Sequence, residues 1–409
     1  MRQTVQLFRG NYTVGWESNA KEEEQNMKWN KIFKPKKILF ITGTRADYGK
    51  IKSLMKRLDA LPEYEVYIYV SGMHLIEKYG NTYKEVLKDD YKNVYIAFGQ
   101  HYSSSMSYNL GNVISNLTGY VSSIKPDMIV VHGDRSDALA GAIVGALNNI
   151  IVAHIEGGEI SGTIDDSIRH AITKFAHLHF VANEEAKRRL EQLGENEEYI
   201  YVIGSPDIDI MLKQEVADIC MVKDYYGIPF DSYGIMMYHP VTTEYERTGE
   251  HIAQVVDALI ESEKNYIVVY PNNDLGTEII LNEYNRLNSN ERFCIYPSLR
   301  FEYFLALLKN ADFVIGNSSA GIRETGIYGI PAIDIGTRQK CRYHIDKLKN
   351  VQHVDEIKGD LLRAISLIEK FRVKNQDFGG GNSTELFLKI LESEKIWNCD
   401  IQKRFNDIL

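Results

Sequence analysis

The chain has 409 residues, more than the roughly 100–200 that one domain commonly spans, so two domains are the default. Its 44% hydrophobic and 25% charged content is that of an ordinary globular protein; without a signal-like N-terminus or an apolar run long enough to span a bilayer, a cytoplasmic protein with no membrane partner is expected. A net charge of −9 offers no basic face for nucleic acid, but it leaves room for a small anion held by a few Arg, His and backbone N–H groups.

Residues 1–36 are polar and aperiodic, with the charged run Lys21-Glu22-Glu23-Glu24, and read as an N-terminal extension in which Met27 is a second candidate start. The first strand is predicted at Lys37–Thr42, with a helix over Gly49–Leu61. Strands at Tyr64–Val70, Asp127–Val131, Ile150–His154, His179–Ala182 and Ile200–Ile203 alternate with helix-period segments such as Asp137–Leu147, the signature of βαβ units and a parallel sheet. A second series begins after Pro206, with strands near Gly234–Tyr238, Tyr266–Tyr270, Phe293–Pro297, Phe313–Ile315 and Ala332–Ile335. The expectation is an α/β protein of two Rossmann-like domains facing a central cleft: residues 37–205, residues 206–385, and a helical tail, 386–409, packing back on the first domain. A short internal echo agrees, since Lys125–Asp134 and Asn310–Ser318 each run from a helix end through an Asp and a buried strand into a glycine-bearing polar turn.

Four cysteines, Cys220, Cys294, Cys341 and Cys399, lie far apart with no CxxC pair, which predicts reduced, mostly buried thiols. HExxH is absent and His177-Leu178-His179 lacks a carboxylate partner pattern, so no catalytic metal is expected.

The densest chemistry is His154-Ile155-Glu156-Gly157-Gly158-Glu159, followed by Asp165-Asp166-Ser167-Ile168-Arg169-His170. A strand-like run leads into two acids flanking two glycines, and a helix then opens on two more acids. Acids just beyond a strand and at a helix start share the ligand side of an open α/β sheet, and paired carboxylates in one cleft can hold different protonation states. One of Asp165 and Asp166 reads equally well as a helix cap. Gly43-Thr44-Arg45-Ala46-Asp47-Tyr48-Gly49-Lys50 stands where a strand meets a helix, a natural anion site. There Arg45 is as easily a solvent-facing side chain as a phosphate ligand, and Lys50 falls at the predicted helix start. Gly316-Asn317-Ser318-Ser319-Ala320-Gly321-Ile322-Arg323-Glu324 holds the equivalent place in the second series. Its small residues would let the backbone approach a pyrophosphate, Ser318 and Ser319 add donors, and Glu324 could accept from a ribose diol. Arg338 follows a later strand and could reach phosphate. His239, ahead of Pro240, ends a strand facing the same cleft.

In order, Gly43-Thr44-Arg45-Ala46-Asp47, His132-Gly133-Asp134-Arg135, the Glu156 and Asp165 motifs, His239-Pro240-Val241-Thr242-Thr243 and Gly316–Gly321 resemble the UDP-N-acetylglucosamine 2-epimerase family, and most closely its hydrolysing branch of bacterial sialic acid synthesis. The likeness covers the chain from Lys37 onward. It implies a glycosyltransferase-B-like pair of domains with UDP held mainly by the second, a homodimer, a UDP-sugar substrate and no cofactor. It also implies anti elimination of UDP to a 2-acetamidoglucal and then addition of water. Asp134, Glu156 and Asp165 match the family's catalytic carboxylates and His239 its histidine near the leaving phosphate. Arg45, Lys50, Arg169, Ser298, Ser318, Ser319, Gly321, Glu324 and Arg338 match ligand-contacting places. On this reading Asp134 or Glu156 takes the C2 proton and Asp165 serves the hydration step, its arm shorter than the Glu of the non-hydrolysing branch and so leaving room for water. A hydrolysing epimerase of UDP-N,N′-diacetylbacillosamine, in the legionaminic acid route, fits the same motifs.

Overall fold

The structure is a computed structural model and describes residues 34–99, 103, 105–161, 163–213, 217–339, 348–375 and 378–407. The N-terminal extension up to residue 33, including Met27, and Cys341 lie outside the described residues.

The first half forms a seven-stranded sheet of β1 (Lys36–Thr42), β2 (Tyr64–Val70), β3 (Asn93–Ile96), β4 (Met128–His132), β5 (Ile151–Ile155), β6 (Leu178–Val181) and β7 (Ile200–Val202), in the order β3-β2-β1-β4-β5-β6-β7. The second half forms a six-stranded sheet of β8 (Gly234–Met237), β9 (Tyr266–Val269), β10 (Phe293–Tyr296), β11 (Phe313–Gly316), β12 (Ala332–Ile335) and β13 (Val351–Val354), in the order β10-β9-β8-β11-β12-β13. Every pairing is parallel. Central strands such as Met-Ile-Val-Val-His in β4 are buried along their whole length because helices cover both faces. The two echoing segments of the sequence carry β4 and β11, which occupy the same place in their sheets.

Eleven of the thirteen strands coincide with the sequence expectation to within a residue at either end, and the two it lacked are β3 and β13. Both are four-residue edge strands without a continuous buried run. The first helix, α1 (Arg45–Asp59), begins four residues earlier than expected. Thr44 and Asp47 form a reciprocal capping box, and the Asp47 carboxylate also accepts from the Thr42 hydroxyl at 2.6 Å and the Gly43 N–H at 3.0 Å. Cys220 is exposed and Cys294 half-buried, so of the thiols described only Cys399 is buried.

The chain passes between the two sheets twice, at 203–206 and again at 378–383, and the passages lie against each other. The Ser205 N–H donates to the Phe378 carbonyl at 2.9 Å, and the Ser383 hydroxyl donates to the Ser205 carbonyl at 3.0 Å. Asp209, in α2 (Pro206–Lys213), caps α3 (Ser383–Leu391) from a distance in sequence, accepting the N–H groups of Ser383 and Thr384 at 2.8 and 2.7 Å. Phe387, Leu388, Leu391 and Ile396 then fill the core of the first sheet, with the Phe387 ring 4.7 Å from that of Phe180. Residues 401–407 carry no helix, which corrects the expectation of a helical tail to the end of the chain.

Phe387 is fully buried, and Phe387→Ala is expected to cost about 3–5 kcal/mol. Urea denaturation measures it; a loss near zero would mean the C-terminal helix does not complete this core.

Candidate active site

Strand order reverses between β1 and β4 in one sheet and between β8 and β11 in the other, and the crevice beyond the carboxyl ends at such a point is where open α/β sheets hold ligands. A cavity of about 280 Å³ lies there, walled by both sheets. The turn after β1 contributes Arg45, the turn after β4 Asp134, the end of β8 His239, and the turn after β11 Ser318 and Ser319.

Of the residues singled out in the sequence, Arg45, Lys50, Asp134, Glu156, Asp165, Arg169, His239, Ser298, Ser318, Ser319, Glu324 and Arg338 all line this cavity. Gly321 does not. It is buried in the first turn of the helix Ala320–Tyr328 and faces Ala332 and Val314. Several of the others meet partners the sequence did not disclose. Lys50 is not at a helix start but well inside α1, its ammonium 2.9 Å from Asp207 and 2.8 Å from Glu324. A ribose that uses Glu324 must therefore share it. Arg45 is not solvent-facing; it donates to Ser298 at 3.0 Å, and burial lowers its pKa. Arg338 donates to Asp165 at 2.9 Å and to the Asn317 carbonyl at 3.2 Å. Arg169 pairs with Asp134, and with Asp166 at 2.8 Å. Neither acid caps its helix: Thr163 does, accepting from the Asp165 N–H at 3.3 Å, while Asp166 accepts from the Ser161 N–H at 2.7 Å.

The acids occupy contrasting environments. Glu156 is buried and adopts φ +63°, a left-handed conformation that a side chain of this size rarely takes. Burial alone would raise its pKa, but Arg323, His132 and Lys50 hold its carboxyl well below the usual range. For Asp165, burial and then the neighbouring Asp134 carboxylate push the pKa up, against the pull of Arg338 and Arg135. The pKa values of two carboxylates in one cavity are thus displaced in opposite directions, as acid and base work requires. His132 Nε2 stands 3.2 Å from Glu156; burial opposes its charge, but the carboxylate prevails and its pKa is raised.

His239 is set in the opposite sense. Burial, then Arg338 and Arg135, lower its pKa well below that of a free imidazole. Its Nδ1 accepts the Asn272 N–H at 3.0 Å, so the neutral ring carries its proton on Nε2 and acts as a hydrogen-bond donor. The Asn317 amide locks the backbone on both sides, accepting from His239 N–H at 2.6 Å and donating to its carbonyl at 2.9 Å.

Arg323, Arg135, His132 and Asn317 were not assigned from sequence. Arg323 is 2% exposed and donates to Glu156 at 2.5 Å and to Glu159 and Ser205. Its signal was present but faint: an Arg-Glu pair amid small and apolar residues, in a helix buried from Ala320 to Ile327. Among the described residues, Glu244, His251 and Glu356 form the one group with ligand-type spacing. It lies outside the cavity wall, and its carboxylates accept hydroxyls from Thr337 and Tyr238.

Two parallel sheets whose switch points meet at a shared cavity define the glycosyltransferase-B-like class of α/β protein. Residues 56–392 match the UDP-N-acetylglucosamine 2-epimerase family, and the chain belongs to that family. It is 48% identical to a UDP-N-acetylglucosamine 2-epimerase of Neisseria meningitidis serogroup B, over 91% of this chain and 99% of that protein. It is 33% identical to a hydrolysing UDP-N,N′-diacetylbacillosamine 2-epimerase of Legionella pneumophila, over 88% and 96%, and 31% identical to polysialic acid biosynthesis protein P7 of Escherichia coli, over 75% and 80%. The crystal structure of a UDP-GlcNAc 2-epimerase from Neisseria meningitidis bound to UDP-GlcNAc shares the fold, with a TM-score of 0.74 at 19% identity, covering 87% of this chain and 99% of that one. Among the described residues no helix is long and apolar enough to cross a membrane.

Replacing Lys50 by Met strands two buried carboxylates, and a stability loss of about 3–5 kcal/mol is expected. Urea denaturation at pH 7 is the measurement; a loss under about 1 kcal/mol, the scale of an exposed pair, would show that Asp207 and Glu324 find other partners.

Proposed function

We propose that this protein is a hydrolysing UDP-N-acetylglucosamine 2-epimerase, converting UDP-N-acetylglucosamine and water to UDP and N-acetylmannosamine for sialic acid synthesis. The observation that carries the proposal is one cavity that sets Glu156 against the Arg323 guanidinium and Asp165 beside a second carboxylate, displacing their pKa values in opposite directions, with the His239 imidazole held low. The second half would hold UDP, with Ser318, Ser319 and Glu324 at its nucleotide end. A homodimer in the cytoplasm belongs to the same proposal.

In the first stage Asp134 or Glu156 accepts the C2 proton, the C2–H electron pair forms the C1=C2 double bond, and the C1–O bond to UDP breaks. The Nε2–H of His239 donates to a leaving phosphate oxygen, where negative charge grows. Arg338 and Arg135, near enough to depress the histidine, add to the positive field there. In the second stage water adds its hydroxyl to C1 and a proton returns to C2 from the opposite face. Asp165, its pKa raised, retains a proton at higher pH than an ordinary Asp and is suited to that delivery. The 48% relative supports N-acetylglucosamine as the sugar over the diacetylated 6-deoxy sugar of the 33% relative.

Incubated with UDP-N-acetylglucosamine in heavy water, the protein is expected to release UDP and free N-acetylmannosamine carrying deuterium at C2, read by proton NMR. Unchanged substrate, with turnover of UDP-N,N′-diacetylbacillosamine instead, would move the assignment to the other sugar. Asp134→Asn should lower kcat by about 100-fold or more while UDP affinity by calorimetry stays near wild type. Because the protonated form of Asp165 is lost as pH rises through its raised pKa, kcat should decline on the alkaline side. Asp165→Asn should remove that limb from the pH profile. Asp165→Glu tests the room left for water: release of UDP-N-acetylmannosamine would support the shorter arm, and pure hydrolysis would count against it.

A further inference from the structure

We propose that Arg323 is a positioning residue that couples the nucleotide end of the site to its sugar end, aiming and ionising Glu156 from the opposite half of the molecule with Glu159 as a second anchor. The inference rests on the epimerase reading and deepens it.

Three observations meet at this side chain. Its guanidinium spans the halves: one nitrogen donates to Glu156 Oε1 at 2.5 Å and to the Ser205 hydroxyl, and another donates to Glu159. Arg323 and both acids are buried, at 2%, 5% and 5% exposed, and the guanidinium lies over the Phe378 ring at 5.0 Å. In such surroundings an unpaired carboxylate is costly, so the pairing sets both the direction and the charge of Glu156. Finally, Arg323 stands one helical turn beyond Ser319 and next to Glu324, on the segment that forms the nucleotide end of the cavity. A ligand that orders Ser318 and Ser319 thereby orders the cation that holds Glu156.

The charge count around Glu156 shows why this cation matters. Arg323, His132 and Lys50 face it, with the Ser205 hydroxyl donating at 2.6 Å. Around Arg323 stand Glu156, Glu159, Asp207 and Glu324. Lys50 is already committed to Asp207 and Glu324, and Arg169, which also faces Glu159, to Asp134 and Asp166, so Arg323 is the guanidinium that bridges Glu156 and Glu159. Its planar fork reaches both at once, which a lysine, as a point charge, does not.

The test uses the full-length protein as wild type, Arg323→Lys, Arg323→Gln and the double variant Arg323→Gln/Glu159→Gln. UDP release from UDP-N-acetylglucosamine is followed from pH 5 to 9, with UDP affinity by calorimetry and melting temperature over the same range. In Arg323→Gln, kcat should fall about 100-fold or more, with KM and UDP affinity within about threefold. With the cation gone, burial raises the Glu156 pKa, so the acidic limb of kcat should move up by about one pH unit or more. Arg323→Lys should keep the limb near its wild-type place and recover part of kcat. The double variant should regain melting temperature without regaining kcat.

The melting curves give a readout that needs no substrate. Acids whose folded pKa is raised above the unfolded value stabilise below the unfolded pKa and lose that contribution as pH rises through the folded one. Arg323→Gln should therefore melt at progressively lower temperature from pH 5 to 8 relative to wild type. A folded Arg323→Gln with wild-type kcat, pH profile and melting profile overturns the proposal. So does parallel loss of UDP affinity and kcat with an unmoved limb, which is what a purely structural role gives. If the wild type releases no UDP, the epimerase reading falls by itself, and the melting profile still decides whether Arg323 holds the acids ionised.

Discussion

The site depends on buried charge being neutralised across the two halves of the chain. Glu156 and Glu159 come from the first half and their guanidinium from the second; Asp165 is met by Arg338, Lys50 by Glu324, and Arg135 by Asp274 at 3.2 Å. Neither half alone could keep these groups dry, since an isolated carboxylate in an apolar interior takes up a proton or draws in water. The chemistry is therefore a property of the assembled pair. The cavity carries a field that neither sheet would generate alone: Glu156 faces Arg323, His132 and Lys50 and is held low, whereas burial and the Asp134 carboxylate push Asp165 up.

How far this was visible in the sequence follows from the range of the forces involved. Periodicity and turn chemistry are local, and they located both sheets and the motifs at their switch points. The strands that escaped, β3 and β13, are edge strands of four residues that bury too little to imprint a pattern. The early start of α1 was legible in Thr44 and Asp47, whose spacing is that of a capping box. Side-chain partnerships are another matter. Nothing within several residues of Lys50 indicates that Asp207 and Glu324 will claim it, and Arg323 shows its role only when Glu156, 167 positions away, arrives. The resemblance named residues that share one wall, but not which of them already hold each other.

Glu156 combines two unfavourable states, a left-handed backbone and a buried charge. Gly158, at φ +75°, follows closely and could not carry a Cβ, which would fall 2.3 Å from the Ala186 carbonyl. The turn after β5 is thus packed closely against Ala186, and that fixes the backbone from which the Glu156 carboxylate reaches Arg323. Asn317 does the same for His239 by clamping its backbone from β11. Glu156 and His239 each sit just beyond a strand end, so the spacing between them is set by sheet geometry and not by flexible loops.

The two adjacent chain passages at Ser205 and Phe378 give the molecule a mechanical character. A single linker would let the halves swivel freely, whereas two passages pinned together resist twist and sideways slip and leave bending as the soft motion. Ser205, at this crease, also donates to Glu156. The acid thus sits beside the pivot, where bending displaces atoms least, while the outer rim of the cleft sweeps the longest arc. A ligand can enter through a widening mouth while the Glu156 carboxylate holds almost still.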